Sequence, residues 1–93
     1  MLLIPNQPIK NWVPKKPADL QKEHFTEFLN KPAKIVIIGL GNHFSLPSYY
    51  LYQCLIEAQM GIEFMSTAAA CRTYAILSGE NRACILGLMC DEY

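Results

Sequence analysis

Lys34-Ile35-Val36-Ile37-Ile38-Gly39-Leu40-Gly41 (KIVIIGLG) is the stretch on which the fold turns. Ile35 to Ile38 are all branched at Cβ, which stiffens χ1 and favours extended chain over helix. The run offers no polar residue to either face. It therefore reads as a strand covered on both sides, at the centre of a sheet with helices packed upon it. Gly39 and Gly41 end it in a tight turn as the chain leaves the sheet.

On the C-terminal side, Pro47 sits where the first turn of a helix begins, and that helix runs to about Met60 with Gly61 as its cap. Ile62 to Met65 is a short strand. Thr67 caps a third helix, Ala68 to about Ser78, ended by Gly79. Arg82 to Met89 is a final apolar strand, and Asp91-Glu92-Tyr93 a frayed end. On the N-terminal side, Asp19 caps a helix carrying Leu20, Phe25, Phe28 and Leu29 as its apolar stripe, closed by Asn30 and Pro32. Pro5, Pro8, Pro14 and Pro17 keep the preceding segment extended. Leu2 to Ile4 forms a short strand there, and Trp12 anchors the loop to the core. The alternation of strand and helix puts the chain in the α/β class, a small sandwich forming a single domain over residues 1–93.

Of the 93 residues, 52% are hydrophobic and 17% charged, and eight Lys and Arg balance eight Asp and Glu. The balance lacks the basic excess of a nucleic-acid or anionic-membrane binder. The opening Met1-Leu2-Leu3-Ile4 stops at Pro5, too short for the apolar centre of a signal peptide. Ile35 to Leu40 falls short of the ~20 residues that cross a bilayer. Cys54, Cys71, Cys84 and Cys90 contain no Cys-x-x-Cys pair, and only His24 and His43 could add imidazole. The expectation is a cytoplasmic chain with reduced, buried thiols, no metal, no cofactor and no integral membrane segment.

Gly39-x-Gly41 after a buried strand resembles the start of a dinucleotide-binding turn, but position 44 is Phe44 and no P-loop lysine follows. The helix from Ser48 to Met60 sets Leu51, Leu55, Ala58 and Ile62 toward the sheet. It spreads Tyr49, Tyr50, Tyr52 and Ile56 over the remainder, which suits either core or an interface with a protein partner or a second copy of the chain. Thr67-Ala68-Ala69-Ala70-Cys71-Arg72-Thr73-Tyr74, followed by Glu80-Asn81-Arg82, is the densest polar cluster. Arg72 and Glu80 lie about two helical turns apart and share a face if the helix continues; with Arg82 they knit the helix end to the sheet or hold an anion. Cys71, early in a helix beside Arg72, is a candidate nucleophile with His43 as its base, against the simpler reading of a buried, inert thiol.

The strings KIVIIGLG, Gly61-Ile62-Glu63, TAAACRTYAIL from Thr67 to Leu77, and Glu80-Asn81-Arg82 resemble domain-of-unknown-function family 498. That family includes a small archaeal protein that names the fold and the mitochondrial respiratory complex I assembly factor 3. The resemblance spans about Leu3 to Met89, and Pro5 and Trp12 fall where the family has a proline and a tryptophan. It implies a three-layer α/β sandwich with a mixed central sheet flanked by helices, and motif positions Gly39, Gly41, Thr67, Cys71, Arg72, Thr73, Tyr74, Glu80 and Arg82. The chain departs from the family at Ala75, where an asparagine is usual, and shows no hairpin before Leu2 to Ile4, so that the hairpin the family commonly has there is either absent or encoded upstream of a start assigned too late. Its absence would bare a sheet edge.

Three functions compete. The first is a non-enzymatic interaction or assembly factor for a respiratory complex, NADH:ubiquinone oxidoreductase, as the resemblance implies. The second is an anionic-ligand site in the crevice between Gly39-Leu40-Gly41 and the third helix, with Arg72 as the anion's partner. The third is a thiol enzyme using Cys71.

Overall fold

The computed structural model describes residues 1–14, 17–42 and 46–89. The expected frayed end at Asp91-Glu92-Tyr93, and also His43, Phe44 and Cys90, lie outside the described residues.

Strand β1 (Leu2–Leu3), helix α1 (Lys22–Thr26), β2 (Ile35–Gly39), α2 (Tyr49–Glu57), β3 (Gly61–Met65), α3 (Thr67–Gly79) and β4 (Cys84–Leu88) follow one another, with 3-10 turns at Pro17–Asp19 and Glu27–Asn30. The sheet order is β1-β4-β2-β3. β2 runs parallel to both neighbours, from Ile35 opposite Gly61 and Cys84 to Gly39 opposite Met65 and Leu88. β1 is antiparallel, with Leu2 opposite Gly87. The sheet is therefore mixed, with the β-branched run at its centre. Val36, Ile37 and Ile38 are completely buried.

The step from β2 to β3 and the step from β3 back to β4 cross the sheet in opposite directions. Right-handed crossovers then require their helices on opposite faces. That is the arrangement: α1 and α2 share one face and α3 takes the other. Val36, Ile38 and Ile85 point into the first layer with Phe25, Phe28 and Leu55. Ile37, Cys84 and Leu86 point into the second with Ala70, Tyr74 and Leu77. Period-two alternation in the strands thus feeds two separate cores.

The edge beside β1 is met by the chain itself. Leu2 N–H donates to the Lys10 carbonyl at 2.7 Å and Lys10 N–H returns to Leu2 at 3.2 Å. Trp12, 2% exposed, follows at once and lies over β4. A Cβ at Gly87 would stand 2.8 Å from the Trp12 ring, so the glycine is what lets the indole reach the sheet.

Several element ends differ from the sequence reading. Asp19 closes a 3-10 turn, and α1 starts after Gln21, whose N–H donates to His24 Nδ1 at 2.9 Å. The imidazole, at the third helical position, accepts the N–H of the N-cap residue itself, the reciprocal half of a capping box, and Asp19 lies too early to cap this helix. Pro47 precedes the N-cap Ser48 of α2 and lies outside the helix. Ala58, expected on the stripe facing the sheet, is exposed. α2 ends in a Schellman turn in which Gln59 takes the left-handed conformation (φ 63°) and Met60 N–H donates to Leu55 at 2.9 Å. Gly61, the expected cap, is the first residue of β3. α3 closes likewise through Asn81 (φ 62°), with Arg82 N–H on Leu77 at 3.0 Å. The last strand starts at Cys84, because that turn consumes Arg82 and Ala83.

A side chain in the left-handed region is strained, and glycine is not. Gln59→Gly is accordingly expected to raise unfolding free energy by about 0.5–1 kcal/mol, net of the added freedom of the unfolded chain. A urea titration monitored by circular dichroism checks it, with a shifted midpoint and unchanged slope as the expected result.

Candidate functional site

Gly39, Gly41 and Thr67 come together where β2 meets the start of α3. A Cβ on Gly39 would lie 2.7 Å from Leu88 Cδ2 and 3.1 Å from both Ala70 Cβ and Thr67 Cα. The helix therefore rests directly on the strand. Gly41, at φ 86°, donates its N–H to Thr67 Oγ1 at 3.0 Å and accepts from Thr67 N–H at 3.0 Å. The α3 N-cap is Ser66, whose hydroxyl accepts from Ala69 N–H at 3.2 Å. Thr67, expected as that cap, instead ties the helix to the strand end. The N–H groups of Gly41 and Thr67, which an anion in this crevice would need, are thus taken by the junction itself.

The rest of the motif divides by helix face. Ala70, Tyr74 and Leu77 pack onto the sheet. Thr73 Oγ1 donates to Met65 Sδ at 3.5 Å. Cys71 and Arg72 point outward and are exposed. Cys71 is therefore not a buried thiol: following Ala70, which faces the sheet, it is turned to solvent. Glu80 caps α3 and pairs with Arg82, Oε1 to Nε at 3.6 Å, both side chains more than half exposed. Arg72 makes no ion pair among the described residues, since the helix ends at Gly79 and the left-handed turn at Asn81 brings Arg82 to Glu80 first.

The α2 candidates also divide. Tyr52 is half-buried, its ring centroid 4.9 Å from Phe64 and 6.2 Å from Phe25, so it belongs to the aromatic cluster joining α1, α2 and β3. Tyr49 (53%), Tyr50 (60%) and Ile56 (40%) remain open to solvent, with Leu46 (68%) just before the helix. Tyr49 stacks edge-on against Tyr52 at 5.4 Å, which holds the start of this outer face rigid.

Cys54, Cys71 and Cys84 are free thiols. Burial pushes the Cys84 thiol up from its ordinary value, because the thiolate would lose its water. A neutral maleimide at pH 7 is expected to label Cys71 in the native protein and Cys84 only after unfolding, as peptide mass mapping would read. A folded-state value above the unfolded one favours folding at and below the unfolded thiol pKa, and loses that contribution as pH rises through the folded value. Wild type should thus weaken above about pH 9 in a way that Cys84→Ala does not.

Among the described residues no three His, Cys, Asp or Glu side chains gather as metal ligands would, and no helix is long and apolar enough to cross a membrane. At the opposite end of the sheet, where the parallel strands begin, a cleft of about 620 Å³ opens beside Lys31, Lys34 and Arg82. The sequence pointed to Arg82 alone of these, because the three come from separate segments with no shared spacing.

The model of a protein family described as "Protein of unknown function (DUF498/DUF598)" matches residues 1–89. A Francisella tularensis protein named "13 kDa major membrane protein" is 32% identical over 69 residues, which cover 72% of this chain and 56% of that protein. The match thus takes in little more than half of the curated relative's length. A crystal structure from Bordetella parapertussis superposes with a TM-score of 0.86 at 27% identity, covering 97% of this chain and 77% of that one. A Xanthomonas campestris protein solved by NMR gives 0.85 at 26% identity, covering 98% and 69%. A Bordetella pertussis protein described as a Mth938-like domain gives 0.77 at 25% identity, covering 97% and 72%. All three were structural-genomics targets.

Proposed function

The chain belongs to the DUF498/DUF598 family of proteins of unknown function, and from that membership we propose that it works without catalysis, as an interaction factor that assists assembly of a membrane-associated respiratory complex. The observation that carries the reading is the outer face of α2, where Tyr49, Tyr50 and Ile56 stand exposed beside Leu46. Large rings with a polar tip gain most from burial against another protein, and a rigid ring loses little entropy on docking. The motif on α3 supports the same reading, because Gly39, Gly41, Thr67 and Tyr74 are used in packing the helix on the sheet. NADH:ubiquinone oxidoreductase is the target that the family resemblance implies, and a relative named as a membrane protein agrees with work beside a bilayer.

The test is a triple variant, Tyr49→Ser, Tyr50→Ser and Ile56→Ser, confirmed as folded by circular dichroism. Affinity capture from the native host is expected to recover respiratory-complex subunits with wild type and to lose them with the variant. Equal recovery by both proteins overturns the docking face. A wild type that sediments as a dimer, and a variant that sediments as a monomer, would assign this face to a second copy of the chain instead.

A further inference from the structure

The cleft where the parallel strands begin is framed by three turns that the fold brings to one end. The segment after the Glu27–Asn30 turn supplies Lys31 and Lys34, the Schellman turn of α2 supplies Met60, and the turn after α3 supplies Arg82. Three of the chain's eight cationic side chains therefore line one concavity, in a molecule of zero formal charge. Among the described residues no acidic side chain lines it. Leu29 and Ile35 join Met60 in giving it an apolar wall.

The charge does not cancel. α2 and α3 both end on this side, and each helix C-terminus carries about half a negative charge. Glu80 adds one more through a solvated contact with Arg82 Nε at 3.6 Å. Against three cations these leave a surplus of roughly one positive charge. A concavity focuses that surplus on whatever enters it. A guanidinium also presents its paired N–H groups in the geometry of a carboxylate. The volume is that of a small organic ligand, within the range of about 300–1,000 Å³ common to such sites.

We propose that this cleft binds an amphiphilic carboxylate, with the head group at Arg82, Lys31 and Lys34 and the apolar body along Leu29, Ile35 and Met60. This site lies at the other end of α2 from Tyr49 and Tyr50, and neither they nor Ile56 line it.

The probe is the fluorescent anion 8-anilino-1-naphthalenesulfonate, with decanoate as competitor. Decanoate is expected to displace the dye, while acetate (head alone), decanol (tail alone) and decyltrimethylammonium (opposite charge) do so poorly. Lys34→Gln with Arg82→Gln, both at exposed positions, is expected to weaken decanoate by about ten- to a hundredfold, as the loss of one or two charge-assisted hydrogen bonds would. Ala58→Trp fills the cleft at an exposed position without changing charge and should abolish binding. Tyr49→Ser with Tyr50→Ser should leave it unchanged. Decanoate bound equally well by the double glutamine variant or by Ala58→Trp overturns the site, as does failure of wild type to bind at all. Binding lost only in the tyrosine variant moves the ligand to the α2 face and equally overturns it.

Discussion

Phe25→Ala is expected to remove about 3–5 kcal/mol from the unfolding free energy, the range for deleting a fully buried ring. Phe25 is completely buried, with ring centroids 6.5 Å from Phe28, 6.2 Å from Tyr52 and 6.1 Å from Phe64. It joins α1, the following 3-10 turn, α2 and β3. α1 has only five residues, too few to hold its own hydrogen bonds in water, so it exists because Phe25 pins it to the sheet. A domain of this size has about 5–15 kcal/mol in total, so the variant should sit near the edge of folding. Urea titration by circular dichroism measures it, with Phe25→Leu as the milder companion. A loss under about 1 kcal/mol would mean that the ring is not the clamp described.

Gly39→Ala is expected to cost about 2–3 kcal/mol, at the upper end for overpacking by one methyl. Leu88 can rotate its methyl away from the new Cβ. Thr67 Cα is backbone, however, and its 3.1 Å separation cannot open unless the start of α3 lifts off the strand. Lifting it strains both hydrogen bonds between Gly41 and Thr67. Ala70→Gly alone should cost about 1 kcal/mol through helix propensity. Combined with Gly39→Ala it removes one of the two 3.1 Å contacts, so the pair should cost less than the sum of the single changes. Strict additivity would show that the two residues do not compete for the same space.

Where sequence and structure agree, a strong local signal set the outcome. Ile35 to Ile38 admit little but a buried strand, and the alternation of strands and helices leaves few topologies with right-handed crossovers. The mixed sheet came only with the family resemblance, since nothing local says that Leu2–Leu3 runs against β4. Element ends failed where two residues competed for one role. Ser66 and Thr67 both carry hydroxyls, and the one whose neighbour is the Gly41 turn gave up the cap to bind it. Gln59 took the left-handed position that Gly61 was expected to fill, because β3 pairing already claims Gly61 N–H for the Lys34 carbonyl at 2.7 Å. Tyr49 and Tyr52 look alike in a string of letters and share one side of the helix, yet only Tyr52, a turn further on, reaches Phe25 and Phe64, while Tyr49 packs edge-on against it from the solvent side. The cationic cleft was illegible except for Arg82, since its members meet only through tertiary structure.

The register that places Ile35 opposite Cys84 has a consequence for biosynthesis. The apolar strand β2 is synthesised forty-nine codons ahead of its inner neighbour, as the paired positions 35 and 84 give. At about 5–20 residues per second β4 follows some 2–10 seconds later, and β2 has no inner partner until it does. Native pairing at the centre of the sheet is therefore tied to the synthesis of β4, and holdase chaperones, which bind such segments, should influence the yield of this protein more than its equilibrium stability.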